Sequence, residues 1–409
     1  MNQPKPLLTV AEALDLLLKA ARPITAVEWV PTLEANGRVL AEAQVSQLDV
    51  PPADNSDRDG YAVRMADCAS GKATLPVSQR IPAGSVPQLL QPGTAARIFT
   101  GAPIPPGADA VVMQEECIAD GDRVTINYQP SAGEWIRPAG GDIRRGSVIL
   151  PAGTRLRPQE LGLAASVGQA ELPVVRRLRA AVFFTGDELA MPGEELKPGA
   201  IYNSNRFTLR GLLQNMGCDI TDYGIVPDSL AATRQTLVRA AQENDLIITS
   251  GGVSVGEEDY IKPAVEAEGR MNMWQIASKP GKPLAFGEIR CVAGRDDAFF
   301  IGLPGNPVSV LIGFLLFVKP FMLRLQGVQK VAPTAYAMRA DFAQQKADRR
   351  NEFLRARINE QGGLDLFPNQ SAGVLTSTVW GDGLIDNPPH NLIAMGDIVR
   401  FLPFNELLY

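Results

Sequence analysis

The sequence predicts a multidomain protein of the α/β plus β class, with a central α/β domain, a small inserted β-rich domain and a C-terminal β domain. Three observations predict it. From about Leu178, apolar strand-like runs alternate with helical segments. Residues 51–139 are rich in proline and glycine and carry short alternating runs such as Ala96-Arg97-Ile98-Phe99. After Gln326-Gly327 the chain alternates like strands, with turns at Gln361-Gly362-Gly363 and Gly381-Asp382-Gly383. The expected division is 1–50 with 140–177 as a discontinuous N-terminal linker domain, 51–139 as the insert, 178–327 as the α/β domain and 328–409 as the C-terminal domain.

In chain order, Thr9-Val10-Ala11-Glu12 reads as a capping box, and the helix it opens carries Val10, Leu14, Leu17, Leu18 and Ala21 on one stripe before Arg22-Pro23 closes it. Past the insert, Pro158 to Val167 is helix-like. Ala180-Ala181-Val182-Phe183-Phe184 is a buried strand ending in Thr185-Gly186-Asp187-Glu188. A helix over 204–216 stops at Gly217, and a second runs from Ser229 to about Asn244. The strands Leu246-Ile247-Ile248-Thr249 and Phe299-Phe300-Ile301 lead into two glycine-bearing loops. The apolar run Val310 to Val318 is too short to span a bilayer and fits a buried helix.

Composition narrows the chemistry. The chain has 409 residues, a formal net charge of −6, 4 cysteines and 1 histidine. One histidine excludes a zinc site built on several histidines and a Ser-His-Asp triad, so acid–base or metal chemistry rests on Asp, Glu and Lys. His390 falls in a proline-rich loop. The acidic balance argues against nucleic acid as a partner. Widely spaced Cys68, Cys117, Cys218 and Cys291, with no secretory leader expected at the N-terminus, point to reduced thiols and a cytoplasmic protein with no membrane partner.

The most informative stretch is Ser250-Gly251-Gly252-Val253-Ser254-Val255-Gly256-Glu257-Glu258-Asp259-Tyr260. Its glycines let backbone N–H groups turn toward an anion, and its carboxylates suit a divalent cation. Plainly read, it is a glycine-rich turn with acids opening a helix. Ligands of open α/β sheets gather where loops leave the C-terminal strand ends, so this loop, the one at Glu188 and the one at Leu303-Pro304-Gly305-Asn306-Pro307 should converge.

Taken in order, the loop motifs resemble the molybdopterin molybdenumtransferase family, which includes MoeA and the gephyrin E domain. The matching residues are Asp54-Asn55-Ser56 with Asp59-Gly60-Tyr61-Ala62, Thr100-Gly101-Ala102-Pro103, Gly140-Gly141-Asp142 and Thr185-Gly186-Asp187-Glu188. They continue through the Ser250 stretch, Lys279-Pro280-Gly281-Lys282-Pro283 and Leu303 to Pro307. The resemblance covers essentially the whole chain. It implies an elongated molecule with a molybdopterin-binding α/β domain and a barrel-like C-terminal domain. It also implies the last step of molybdenum cofactor assembly. Adenylylated molybdopterin and molybdate are then substrates, Mg²⁺ the cofactor and AMP a product, in a homodimer whose active site lies between subunits. An upstream adenylyltransferase and molybdoenzyme acceptors are implied as partners.

On that resemblance Glu188 is the first candidate for a Mg²⁺ ligand or water-orienting carboxylate, with Asp187 holding the turn. Asp259 and, from across the dimer, Asp59 complete the metal set, and Thr100 supplies a hydroxyl to the catalytic group. Substrate binding falls to Gly251, Gly252, Ser254, Asp228, Asp142, Lys279, Lys282, Pro304, Gly305, Asn306 and Pro307. The paired lysines and the loop before a helix suit phosphate or molybdate. Each has a structural reading beside it: a helix N-cap for Asp228, ordinary turns for Asp59, Thr100 and Asp142, solvated side chains for the lysines. Arg350 and Ser371 also match the family's pattern but read first as structural.

The sequence departs from the family at two places. Gln275 stands where Lys or Arg is usual, replacing a charge-assisted bond by a neutral one, a difference of about 1 kcal/mol; Lys282 and Arg206 are the residues placed to compensate. Asp57-Arg58 replaces a small, apolar pair, and Arg58 is expected to reach Asp59. Alternative readings are a molybdopterin adenylyltransferase, normally a lone α/β domain, a non-catalytic molybdopterin-binding paralogue, and a tungstate-specialised paralogue.

Overall fold

The computed structural model describes residues 7–252, 260–281, 283–291 and 295–408. At its centre is a mixed six-stranded sheet of Arg179–Thr185 (β1), Asp219–Val226 (β2), Leu246–Ser250 (β3), Gly269–Gln275 (β4), Pro283–Ile289 (β5) and Ala298–Leu303 (β6). Their order is β2-β1-β3-β6-β5-β4. The first four neighbours are parallel, and β5 and β4 add an antiparallel ribbon at one edge.

Period-two alternation explains why β1, β3 and β6 read as unbroken apolar runs. Ala180, Val182, Phe184, Ile248 and Ile301 face one layer, packed by Leu209, Leu213, Phe317 and Phe321. Ala181, Phe183, Ile247 and Phe300 face the other, packed by Leu237, Ala240, Ile261 and Val265. Both faces are buried, so neither can be polar.

The first layer holds the helices Ser204–Asn215 and Pro307–Leu325. The second holds Leu230–Glu243 and Ile261–Glu268. The N-terminal helix Val10–Ala20 joins the first layer through Ala13 and Leu17. Its capping box forms as expected: Glu12 N donates to Thr9 Oγ1 at 3.2 Å, and Thr9 N donates to Glu12 Oε2 at 2.8 Å.

Pro307–Leu325 is long and apolar enough to cross a membrane by length and composition, yet 89% of its most apolar window is buried inside the fold. Its middle turn, Phe314–Val318, widens to π geometry just before Lys319-Pro320. A proline inside a helix lacks an N–H and crowds the carbonyl four residues back, and the wider turn accommodates it.

Residues 27–45 pair with 148–175: Val27–Pro31 runs antiparallel to Glu171–Val175, and Gln44–Val45 to Val148–Leu150, over a core that includes Leu40, Leu156 and Val174. Between them the chain builds a second six-stranded sheet, in which Gly60–Val63 lies between Ala95–Ile98 and Ala110–Met113. The C-terminal sheet runs from Tyr336–Arg339 through Ile398–Pro403, Gly383–Asn387 and Asn351–Ile358 to Leu364–Leu366. A single bridge, Ala340 to Leu364, joins its two ends into a small barrel. Ser278–Lys279 of the α/β region adds to this sheet, parallel to Asn351–Ile358.

Candidate functional site

The ends of β1, β3 and β6 lie side by side, with Phe184 paired to Ser250 and Ser250 to Leu303. The loops that leave them open together into a cleft of about 880 Å³. Glu188, Asp228, Gly251, Gly252, Pro304 to Pro307 and Arg350 line it. The expected convergence of the three loops is what the structure shows. Ser254, Asp259 and Lys282 lie outside the described residues.

Local backbone chemistry explains the loop after β3. Gly251 and Gly252 have φ of +94° and +62°, a region that favours glycine, and a Cβ on Gly251 would lie 3.1 Å from Thr185 O. Side chains are thereby kept out of the cleft floor. On the neighbouring loop the Glu188 carboxylate folds back over Gly186, where a Cβ would meet Oε2 at 2.5 Å. Asp228 sits two residues before the helix Leu230–Glu243, and the cap is Ser229, whose Oγ accepts from Ala232 N at 3.3 Å. The N-cap role proposed for Asp228 therefore belongs to its neighbour.

The C-terminal barrel supplies another wall. Ala372 and Gly373 line the cleft, and Ala372 O accepts from Val308 N at 3.1 Å in the first turn of Pro307–Leu325. Arg350 is held by a two-pronged ion pair with Asp348, both bonds 3.1 Å. Lys279 joins the same group, 2.9 Å from Glu352 and 3.2 Å from Asp348. The Arg350 guanidinium holds the Asp348 carboxyl far below its usual range, with further help from Lys279. For Lys279 burial works against the charged form, and bonds to Glu352 and Asp348 outweigh it, so its pKa is raised. Lys279 is thus engaged by carboxylates rather than standing alone for an oxyanion, while Arg350, which the sequence ranks as structural, is a wall of the cleft. Ser371 is exposed, and its carbonyl accepts from Arg355.

Asp59 and Thr100 form a separate corner. The antiparallel register that sets Gly60 opposite Ile98 brings Asp59, just before one strand, beside Thr100, just after the other. Asp59 Oδ1 accepts from Thr100 N at 2.7 Å and from its hydroxyl at 2.8 Å. These two bonds, backbone first, lower the Asp59 pKa. Arg58 does not pair with Asp59 as the sequence suggests. Its guanidinium stacks 4.6 Å above the Trp135 ring and faces Asp57 at 3.9 Å, and Asp57 is also bridged by Arg137. Aromatic stacking and a neighbouring carboxylate together outcompete an Asp59 already taken by Thr100. Neither Asp59, Thr100 nor Asp142 lines the cleft of its own chain. Asp142 is exposed in a bend, its N–H bonded to Val50 O at 3.0 Å.

Both departures now have a setting. Gln275 is exposed at the end of β4, where its carbonyl accepts from Leu8 N. Arg206, named as a compensating charge, is committed to Asp222 at 2.9 Å.

Sequence reasoning missed Asn205. It lines the cleft and donates to Ser250 Oγ at 2.8 Å and to Gly305 O at 2.7 Å. The signal was available in the rule that places the first turns of helices following parallel strands near the ligand end of the sheet. Among the described residues no group of three or more His, Cys, Asp or Glu side chains is arranged to hold a metal. Glu188 and Asp228 in one cleft do suit a hard cation that takes one or two protein carboxylates and completes its shell with phosphates and water.

Comparison with known proteins agrees along the whole chain. Residues 8–168 match the MoeA N-terminal region (domains I and II), 181–324 a probable molybdopterin binding domain, and 337–404 the MoeA C-terminal region (domain IV). The molybdopterin molybdenumtransferase of Haemophilus influenzae is 39% identical over 98% of this chain and 100% of its own. Molybdopterin molybdenumtransferase 2 of Mycobacterium tuberculosis is 39% identical over 91% of this chain and 92% of its own. The crystal structure of a molybdopterin biosynthesis MoeA protein from Pyrococcus horikoshii aligns with a TM-score of 0.83 and 30% identity, covering 97% of this chain and 100% of that one. With three parallel strand ends opening into one cleft and relatives that match from end to end, the chain belongs to the molybdopterin molybdenumtransferase family, transferases of molybdenum cofactor biosynthesis.

Proposed function

We propose that the cleft takes adenylylated molybdopterin and molybdate, that the phosphoanhydride is cleaved with departure of AMP, and that molybdenum stays on the dithiolene sulfurs. The observation that carries this reading is the floor of the cleft, where Gly251 and Gly252 at positive φ leave backbone exposed beside two carboxylates. Phosphoryl chemistry asks a protein mainly for positioning and charge stabilisation. The N–H groups of Gly252, Gly305 and Asn306 hold phosphate oxygens, with Gly251, Pro304 and Pro307 shaping the two loops, and Arg350 contributes a fixed positive charge. Glu188 orients the attacking water. Glu188, with Asp228 or the nominated Asp259, would hold Mg²⁺, whose charge would neutralise the phosphates. The volume suits a ligand of this size, since small-molecule sites commonly run to about 1,000 Å³.

The enzyme works as a homodimer, with Asp59, Thr100 and Asp142 facing the cleft of the partner subunit. Two facts support this. These residues stand apart from their own cleft, and Val27, Trp29 and Leu33 are 46%, 63% and 95% exposed on and beside one short strand, an apolar surface suited to burial. The cytoplasm is the proposed location, and the upstream adenylyltransferase and molybdoenzymes are the proposed partners.

The test combines purified protein, adenylylated molybdopterin, Mg²⁺ and molybdate, and follows AMP release and molybdenum retained on the pterin. Molybdate-dependent AMP release with metal insertion is the expected result. Tight binding without turnover overturns the catalytic reading in favour of a binding paralogue, and replacing molybdate by tungstate tests the oxyanion.

A further inference from the structure

The loops after β3 and β6 must keep one spacing for their backbone groups to meet a single ligand, and one side chain spans them. Asn205 Nδ2 donates to Ser250 Oγ and to Gly305 O, and the Ser250 hydroxyl in turn donates to Pro304 O at 3.2 Å. Gly305 O can only accept, which fixes the amide with its nitrogen toward the loops. Both amide protons are thereby committed. Asn205 Oδ1 is buried and has no partner among the described residues. Capping of the helix is not its task, because Asn203 Oδ1 already accepts from Arg206 N at 3.1 Å. The loops it joins are close: a Cβ on Gly305 would lie 3.8 Å from Gly251 Cα.

We propose that Asn205 is a positioning residue which, through Ser250 and Gly305, sets the spacing of the glycine loop and the Pro304 to Pro307 loop and so pre-organises the phosphate cradle. It touches no reacting atom. A cradle that holds phosphates alike before and during reaction changes substrate affinity rather than turnover. The inference rests on the reading that this cleft binds adenylylated molybdopterin.

Asn205→Ala, Asn205→Asp, Ser250→Ala and the double variant Asn205→Ala/Ser250→Ala test it. In Asn205→Ala the KM for adenylylated molybdopterin should rise about tenfold, the loss of a hydrogen bond or two, with kcat within about twofold. Asn205→Asp keeps the shape but sets a carboxylate against Gly305 O, and should weaken binding at least as much. The double variant should be no weaker than Asn205→Ala within about twofold, because the pair acts as one unit. Hydrogen exchange needs no substrate: the Gly251 N–H, bonded to Leu303 O at 3.1 Å, should exchange faster in Asn205→Ala while the middle of β1 is unchanged. An unchanged KM, a fall in kcat alone, multiplicative losses in the double variant or unaltered Gly251 exchange overturns the proposal. A wild-type protein that fails to bind adenylylated molybdopterin overturns the functional reading instead, and the exchange result still decides the spacing.

Discussion

The strand-end cleft and the Asp59–Thr100 corner are built in opposite ways. In the cleft, loops distant in sequence meet because parallel strands end together, and its parts are held by other parts of the cleft, as Asn205 holds Ser250 and Gly305. In the corner, one antiparallel pair sets a carboxylate beside a hydroxyl, complete in itself and away from the cleft of its own chain. The first resembles a socket, the second a prong. A single chain can have both and still lack the working arrangement if the prong belongs in the partner's socket.

The sharpest way to break this contrast is to damage each region in turn. Glu188→Gln should reduce turnover by about 100-fold or more, the scale of losing a positioned acid–base or water-orienting group, while leaving the dimer intact by light scattering. Unchanged turnover would remove Glu188 from the mechanism. Asp59→Asn should be similarly impaired. Mixing the two inactive proteins through unfolding and refolding should then restore about a quarter of wild-type activity, because half the dimers are mixed and each has one intact site. No recovery would place Asp59 and Glu188 in the same subunit's site.

Smaller effects refine the socket. Arg350→Ala should raise the KM by about tenfold or more, as removal of a charged hydrogen-bond partner does. The wild-type to Arg350→Ala ratio should stay flat with pH. Asp348 has a depressed pKa, so its contribution is present above the ordinary value of 3.8 and is lost as pH falls through the folded value. Lys279 has a raised pKa, so its contribution is present below 10.5 and is lost as pH rises through the folded value. Between those limits the clamp keeps its charges, and an inflection in that ratio near neutrality would dissolve it. Least of all, Ser229→Ala should lower stability by about 1 kcal/mol in urea unfolding through loss of a helix cap, with substrate binding unaltered. Asp228→Asn should do the reverse.

The legible parts were those whose chemistry is local. Apolar runs buried on two faces, a capping box and glycines that must take positive φ all leave their mark within a few residues. That sufficed for β1, β3 and β6 of the central sheet, the helix at Thr9 and the loops of the cleft, but not for β2, β4 and β5. Relations across the fold leave no such mark. Asn205 belongs to no turn or glycine motif and acquires its partners only when β3 and β6 become neighbours. Arg58 lies next to Asp59 in sequence, yet the Trp135 ring and Asp57 decide where it points. The Lys279 group depends on a strand of the C-terminal barrel meeting Ser278–Lys279, a pairing no residue near Lys279 announces.

Trp135 carries a further consequence. Its backbone has φ of +55°, unusual for a bulky side chain, and its indole lies beneath the Arg58 guanidinium on the face that also bears Asp57. Indole emission responds to the charge and water around the ring. The prong therefore carries its own optical label, and its environment can be followed without an added dye once Trp29, Trp274 and Trp380 are replaced by phenylalanine.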